Sequence, residues 1–507
     1  VDLLWNGGIG TYVKHSLETN AAADDRANDN ARVDGNKLRA QVVGEGGNLG
    51  FTQLGRIEYA LGGGRINTDA VDNSGGVDCS DHEVNLKIFM QHLKSKGLLQ
   101  DINERNIELQ SLTNEVCDAV LRNNYTQSLA LSLDKLRNNQ EIEPFSDLAV
   151  RLEDTGLLNP VSEALPKTKE VLGRKHGYTR PELAILLAYS KMDLLNAMLD
   201  SNYIDGHFAL EYLAGYFPEK MQIKYAHLLN EHPLRREIIA TVLTNHIIDQ
   251  SGSTTCFRLA RRHNIQVIDV VPPYLIYDRI LDGRRLRAQL CALDNKMVAE
   301  EQYTLLLRLE NTISTMCDWA LRHKNSTTPE GIALRQEQLR EYRNLLSSIL
   351  RPEQWGACRT EADMLSGYGL DADTTLELVT LPYLENFIPL VQLQEKTGEK
   401  MYPLAVTMAE AMKTLQLDDL LQGLNQVPLR DCWDRHSHRM LKNRFQQEIF
   451  ALTEEVMREC SGNIDNLLSK QRPAFMRYKH YVKMIDEGSN ATFHPYMVVL
   501  DQLQKLR

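Results

Sequence analysis

The sequence predicts a mainly α-helical protein in which a short α/β stretch with a parallel sheet, residues 1–100, leads into a large all-α region over residues 101–507. Three observations carry that division. Of the 30 glycines, 14 fall in the first 76 residues; no proline precedes Pro144; and from His82 onward the apolar residues recur at helical spacing. Glycine permits the tight turns that join strands and weakens helix interiors, so the change of composition near residue 85 marks a change of class.

Three runs read as strands: Val1–Trp5, Leu38–Val43 and Arg65–Asp72, each followed by a polar or glycine-rich turn. Thr52–Leu61 reads as a helix between the second and third, which makes one β-α-β unit of a parallel sheet. The stretch Glu18–Asn36 is charged and rich in small residues, has little to bury, and reads as a mobile loop or weak helix. Val1–Trp5 is apolar enough for a buried strand, and a parallel strand needs neighbours. The expectation is therefore a C-terminal part of a longer polypeptide.

Beyond His82, Thr179-Arg180-Pro181-Glu182 forms a capping box, with Tyr178 and Leu183 placed for a hydrophobic staple and a helix running to about Met198. Leu306, Leu309, Ile313, Met316 and Ala320 repeat at spacings of three and four, as do Leu441, Phe445, Ile449, Leu452 and Val456. Such stripes are the core seams of long helices. Pro272, Pro273, Pro352, Pro382 and Pro428 punctuate helices or turns, and no fixed-period repeat is present.

A formal charge of −11 and a pI near 5.8 exclude a net basic nucleic-acid surface. The eight cysteines lie far apart without a C-x-x-C pair, as expected of reduced intracellular thiols. No 18-residue apolar run and no signal-like start appear, so the expectation is a cytoplasmic protein with no membrane partner.

The chemistry concentrates in two turns. The first is Gly44-Glu45-Gly46-Gly47-Asn48; the second runs from Asp72-Asn73-Ser74-Gly75-Gly76 through Val77-Asp78-Cys79-Ser80. Each follows a strand-like run, where an open α/β sheet builds its ligand crevice. Glycines allow close backbone approach, and Asn and Ser side chains supply hydrogen bonds.

The Gly-x-Asn turn and the Asn-Ser-Gly-Gly-Val-x-x-Ser turn resemble those of amino-acid dehydrogenases. Leu3–Tyr12, Val43–Phe51, Gly63–Val84, Thr179–Leu187 and His232–Gly252 resemble the large bacterial NAD-specific glutamate dehydrogenases along essentially the whole chain. The resemblance implies the C-terminal remnant of a Rossmann-like dinucleotide-binding domain followed by a helical extension. It also implies NAD as cofactor and oxidative deamination of L-glutamate to 2-oxoglutarate and ammonia. By resemblance, Asn6, Gly7, Gly8, Gly47, Asn48 and Asn73 face the cofactor, Asn73 also meets the substrate, and the Ser80 hydroxyl meets the substrate side-chain carboxylate.

The family's lysine-bearing motifs and a G-x-G-x-x-G fingerprint are not found in this sequence, so no catalytic residue is assigned here. Those parts are expected on an N-terminal remainder of the same polypeptide, in a homo-oligomer, and the isolated chain is expected to be inactive. The competing reading is a non-catalytic helical scaffold or regulatory module.

Ser80 and Glu83 also have capping-box spacing, so Ser80 reads both as a helix start and as a substrate contact. Asp78, Asp81 and Glu83 read as acids of a helix start, Cys79 as a buried neutral thiol, and His436-Ser437-His438 lacks companion metal ligands.

Overall fold

A computed structural model describes residues 1–99, 101–323, 327–488 and 492–507. The chain forms two compact units, Val1–Leu275 and Ile276–Arg507. It is mainly helical, and its last strand among the described residues ends at Ile66.

The first unit opens with five short strands: β1 (Leu3–Asn6), β2 (Val13–Lys14), β3 (Val33–Asp34), β4 (Val42–Glu45) and β5 (Arg65–Ile66). β1, β4 and β5 form a parallel sheet in the order β1-β4-β5, with Leu3 opposite Val42 and Val42 opposite Arg65. β2 and β3 make a separate parallel pair. Helix α1 (Gln53–Leu61) crosses from β4 to β5, so the expected β-α-β unit is present. Thr52 caps α1 by accepting the Gly55 N–H, and Tyr59 donates its hydroxyl to the Ala40 carbonyl at 2.8 Å. Val13, Val43, Phe51, Tyr59 and Ile66 form the small apolar core beneath the sheet.

Three strand expectations are corrected. The first strand is Leu3–Asn6, and one of its faces is open: Leu3 is 56% and Trp5 61% exposed, so it is not buried here. The second shifts to Val42–Glu45. The third stops at Ile66, because Asp69–Asp72 forms the single helical turn α2. Asn and Asp side chains compete with the sheet ladder for backbone groups, and here Val71 and Asp72 donate back to the Thr68 carbonyl.

The Glu18–Asn36 stretch holds two short 3₁₀ turns and β3 and enters a third 3₁₀ turn at Gly35, and it is tied down by an arginine whose side chain is buried. Arg32 donates to the Thr11 carbonyl at 2.8 Å, to Asp29 at 2.5 Å and to the Asp25 carbonyl.

Six further helices continue the first unit as far as residue 199: α3 (Ser74–Ser95), α4 (Ile102–Ser111), α5 (Thr113–Gln140), α6 (Glu143–Asp154), α7 (Thr168–Leu172) and α8 (Arg180–Leu199). α5 packs against both α3 and α8, and α8 packs on α1, which brings the helical region onto the sheet. The capping box opens α8 as expected: the Thr179 N–H donates to Glu182 at 2.6 Å, Pro181 sits in the first turn, and Tyr178 and Leu183 are fully buried. The helix ends at Leu199.

The second unit, from Ile276, is all helical among its described residues. Helix Ala299–His323 buries Leu306, Leu309, Ile313, Met316 and Ala320, and helix Cys432–Cys460 buries Leu441, Phe445, Ile449, Leu452 and Val456. Pro352 and Pro382 lie in first helical turns and Pro428 between helices. Pro272 and Pro273 fall in the first turn of helix Val271–Ile280, where a missing N–H is tolerated.

Candidate functional site

β1 and β4 end side by side, with Asn6 in register with Glu45, so the turns that follow them meet at one edge of the sheet. The Gly47 N–H donates to the Asn6 carbonyl at 3.0 Å. A Cβ at Gly47 would collide with the carbonyl oxygen of Gly8, so glycine at 47 is required by the approach of one turn to the other. Gly44 answers to a different neighbour: its Cβ would stand 2.7 Å from the Trp5 ring, which also covers Gly46.

Leu49 holds φ at +57°, an uncommon conformation for a branched residue, and its N–H donates to Asp69 at 2.8 Å. Three residues after Asp69, Asp72 accepts the Glu45 N–H at 2.9 Å. The single turn α2 thus carries two carboxylates that hold the beginning and the end of the Glu45–Leu49 turn.

Beneath that turn lies a buried ion cluster. The Glu45 carboxylate is fully buried and takes two bonds from Arg56, at 2.6 and 2.9 Å, while Arg56 also reaches Asp69 at 3.0 Å. This bidentate geometry is the favourable one for a carboxylate withdrawn from water. Burial pushes the Glu45 and Asp72 carboxyls above their ordinary values. Burial opposes the Arg56 charge, yet its hydrogen bonds to Glu45 together with the charges of Glu45, Asp69 and Asp72 outweigh it and hold its pKa above the ordinary value.

Asn73 stands between α2 and α3, and its side-chain amide donates to Asn48 Oδ1 at 2.7 Å. The pair lies at the positive end of a 22-residue helix, an electrostatic setting that favours negative charge.

Asn6, Gly7, Gly8, Gly47, Asn48 and Asn73 are therefore brought together. Ser80 is not among them. The second sequence turn is helical from Ser74, so Ser80 is the seventh residue of α3, exposed, with its hydroxyl donating to the Gly76 carbonyl at 3.3 Å. It is not a helix cap, because Asn73 occupies that place and the two glycines fall in the first turn, where their poor helix propensity costs least. Cys79, expected buried, is exposed on the same helix. Asp78 accepts from Asn123 at 2.8 Å. His436 and His438 engage the Cys432 carbonyl and Asn425, and no group of three or more His, Cys, Asp or Glu among the described residues is placed to hold a metal ion. No helix among the described residues is long and apolar enough to cross a membrane.

A family model described as "Glutamate dehydrogenase, C-terminal" matches residues 175–505, and one described as "Bacterial NAD-glutamate dehydrogenase, catalytic domain" matches residues 1–134. The chain belongs to the bacterial NAD-glutamate dehydrogenase family. It is similar to proteins named NAD-specific glutamate dehydrogenase from Halomonas elongata (34% identical, all of this chain, 32% of the relative) and Pseudomonas aeruginosa (32% identical, all of this chain, 32% of the relative). A third, from Mycobacterium tuberculosis, is 33% identical over 89% of this chain and 28% of the relative. The chain spans about a third of the length of these relatives.

Within this family member, sequence reasoning missed the groups behind the turns: Glu45 as a buried ion, Arg56, Asp69 and Asp72, and with them Asn67, which donates to Asp72 at 2.6 Å and accepts from Arg180. One signal was available. Glu45 ends an apolar strand and an arginine stands on the very next helix, the pattern of a buried ion that needs a partner.

Proposed function

We propose that this chain supplies one wall of the cofactor and substrate cleft of an NAD-dependent glutamate dehydrogenase, which oxidatively deaminates L-glutamate to 2-oxoglutarate and ammonia. The observation that carries this reading is the convergence of the Asn6–Gly8 turn, the Gly47–Asn48 turn and Asn73, locked by the Asn73–Asn48 bond, in a chain of this family.

The residues present fit the cofactor's chemistry. Two side-chain amides stand at the end of a parallel sheet, the Asn6 side-chain nitrogen is buried without a hydrogen-bond partner, and the turns approach closely enough to require Gly47. Asn6, Gly7, Gly8, Gly47, Asn48 and Asn73 would hold NAD, which when bound supplies the acceptor for the substrate's hydride. Asn73 orients both cofactor and substrate, and Ser80, outside that cluster and about two turns farther along α3, offers a hydroxyl to the far, side-chain carboxylate of the substrate. In this reading the sheet is the remnant of a Rossmann-like domain, and an N-terminal remainder of the same polypeptide brings the lysines and the pyrophosphate turn. The open face of β1, with Leu3 and Trp5, is where that remainder packs.

The test compares the 507-residue chain with the polypeptide that joins it to that upstream part. Glutamate-dependent NADH formation is expected from the joined polypeptide and not from the chain alone. Absence of activity in the joined polypeptide overturns the reading, and micromolar NAD binding by the isolated chain overturns the placement of the pyrophosphate turn upstream.

A further inference from the structure

Arg180 opens α8, and its guanidinium faces two ways. On one side it donates to the Ser132 hydroxyl at 2.9 Å and the Ser128 carbonyl at 2.8 Å, both on α5. On the other its Nε donates to Asn67 Oδ1, in the segment between β5 and α2. Arginine carries donors and no acceptor, so the oxygen of the Asn67 amide must face it. The amide nitrogen is then turned the other way, and it donates to Asp72 Oδ1 at 2.6 Å. With that oxygen engaged, the other Asp72 oxygen takes the Glu45 N–H. A second tie runs beside the first: Asn124 of α5 donates to the Val71 carbonyl at 2.9 Å and to Ser74 at 2.8 Å.

We propose that Arg180 is a positioning residue: its donor-only fork fixes the Asn67 amide, which aims Asp72 at the Glu45 backbone and so sets the turns that present Asn48 and Asn73. The relay carries the helical region's hold, alongside the Asn124 tie, to the cleft wall. The inference rests on the cleft assignment under Proposed function, but its first readout does not depend on activity.

Hydrogen exchange on the 507-residue chain supplies that readout. Arg180→Met and Asn67→Ala are each expected to raise exchange in peptides covering Glu45–Leu49 and Asp69–Gly76, with the rest of the first unit unchanged. Arg180→Lys, still a donor but without the planar fork, should recover part of the protection. Ser132→Ala loosens only the α5 side and should leave both peptides close to wild type. The double variant Arg180→Met/Asn67→Ala should show no more exchange than either single one, because both break the same relay.

In the joined polypeptide the same variants should lower kcat roughly tenfold or more, a misplacement effect, with a smaller change in the Michaelis constants. Unchanged exchange at the two peptides overturns the proposal. Exchange that rises throughout the first unit also overturns it, since that is the mark of a purely structural tie. A wild-type joined polypeptide without activity defeats the cleft assignment while the exchange result still judges the relay. An active wild type whose Arg180→Met variant has normal kcat defeats the relay's role in the cleft and leaves the assignment standing.

Discussion

Asn73 donates its side-chain amide to Asn48 Oδ1 at 2.7 Å, joining residues 25 positions apart in the chain. Each comes from one of the two sequence motifs that suggested a ligand cleft, and neither motif alone requires the other. The bond makes them one surface. It leaves the side-chain nitrogen of Asn48 and the side-chain oxygen Oδ1 of Asn73 available, a donor and an acceptor at the head of α3, for groups of a ligand.

Gly47→Ala tests the approach of the turns. The added Cβ has no room beside the Gly8 carbonyl, so either turn must move. Overpacking of this kind costs about 1–3 kcal/mol. Calorimetry should show a lower melting temperature for the first unit, and an unchanged melt with unchanged exchange at Asn6–Gly8 would refute the crowding.

Ser80→Ala and Asn73→Ala separate substrate contact from alignment. In the joined polypeptide, Ser80→Ala should raise the Michaelis constant for glutamate by the equivalent of about 1.5–3 kcal/mol, the range for a hydrogen bond to a charged group. The NAD constant should hardly change. Because Ser80 is exposed and caps nothing, its melting temperature should stay at the parent value. Asn73→Ala should depress turnover as well, by freeing Asn48. Normal glutamate kinetics for Ser80→Ala would remove it from the site.

Arg56→Met tests the buried cluster. Removing the guanidinium leaves the fully buried Glu45 carboxylate without its bidentate partner, a loss of about 3–5 kcal/mol for broken buried pairs. The Glu45 carboxyl in the fold, already above its ordinary value through burial, then rises further. A carboxyl raised on folding contributes stability that is present below its unfolded value and lost as pH rises through the folded one. The deficit should therefore narrow from pH 7 toward pH 5 in urea titrations; a deficit independent of pH would place the damage elsewhere.

Ile313→Asp addresses the second unit. Ile313 is fully buried in the seam of helix Ala299–His323, and a carboxylate there has no partner to offset its lost hydration. The variant should lose the cooperative unfolding of that unit, followed by circular dichroism. A melt equal to the parent's would mean the seam is not core.

The change from turn-rich to helical sequence, the β-α-β unit, the capping box at Thr179 and both apolar seams were legible because each depends on local spacing. The extents of the strands were not. Asp69 and Asp72 look like the end of an extended run until their carboxylates are seen to bind the backbone of a turn 20 and 27 residues earlier in the chain, at Leu49 and Glu45. The same holds for Ser80, whose capping-box spacing is genuine but is overridden by a helix that starts at Ser74. The relay through Arg180 was hidden for a simpler reason: it spans 113 residues, and nothing in the Thr-Arg-Pro-Glu motif says where the arginine points.

His232 predicts a pH dependence for the first unit. Its Nδ1 lies 3.0 Å from the Leu234 N–H, which it must accept, so Nε2 carries the proton and donates to the Asn85 carbonyl at 3.0 Å. The neutral ring satisfies both neighbours, and a protonated ring would set two donors against each other at Leu234. Burial pushes its pKa below the ordinary 6.5, with the nearby His92 adding to the effect and the Asn85 carbonyl and Glu237 opposing it. His82, stacked on Tyr216 at 4.4 Å and facing Asp78 and Asp81, is likewise lowered by burial. For both, the unfolded chain binds more protons than the fold between the folded value and 6.5, so stability rises with pH across that window and is fully present above it. Melts of the chain should fall between pH 7 and pH 5. His232→Asn keeps an acceptor for Leu234, so it should lose stability at pH 8 yet show a flatter profile below pH 6.5. A profile as steep as the parent's would assign the acid sensitivity to other groups.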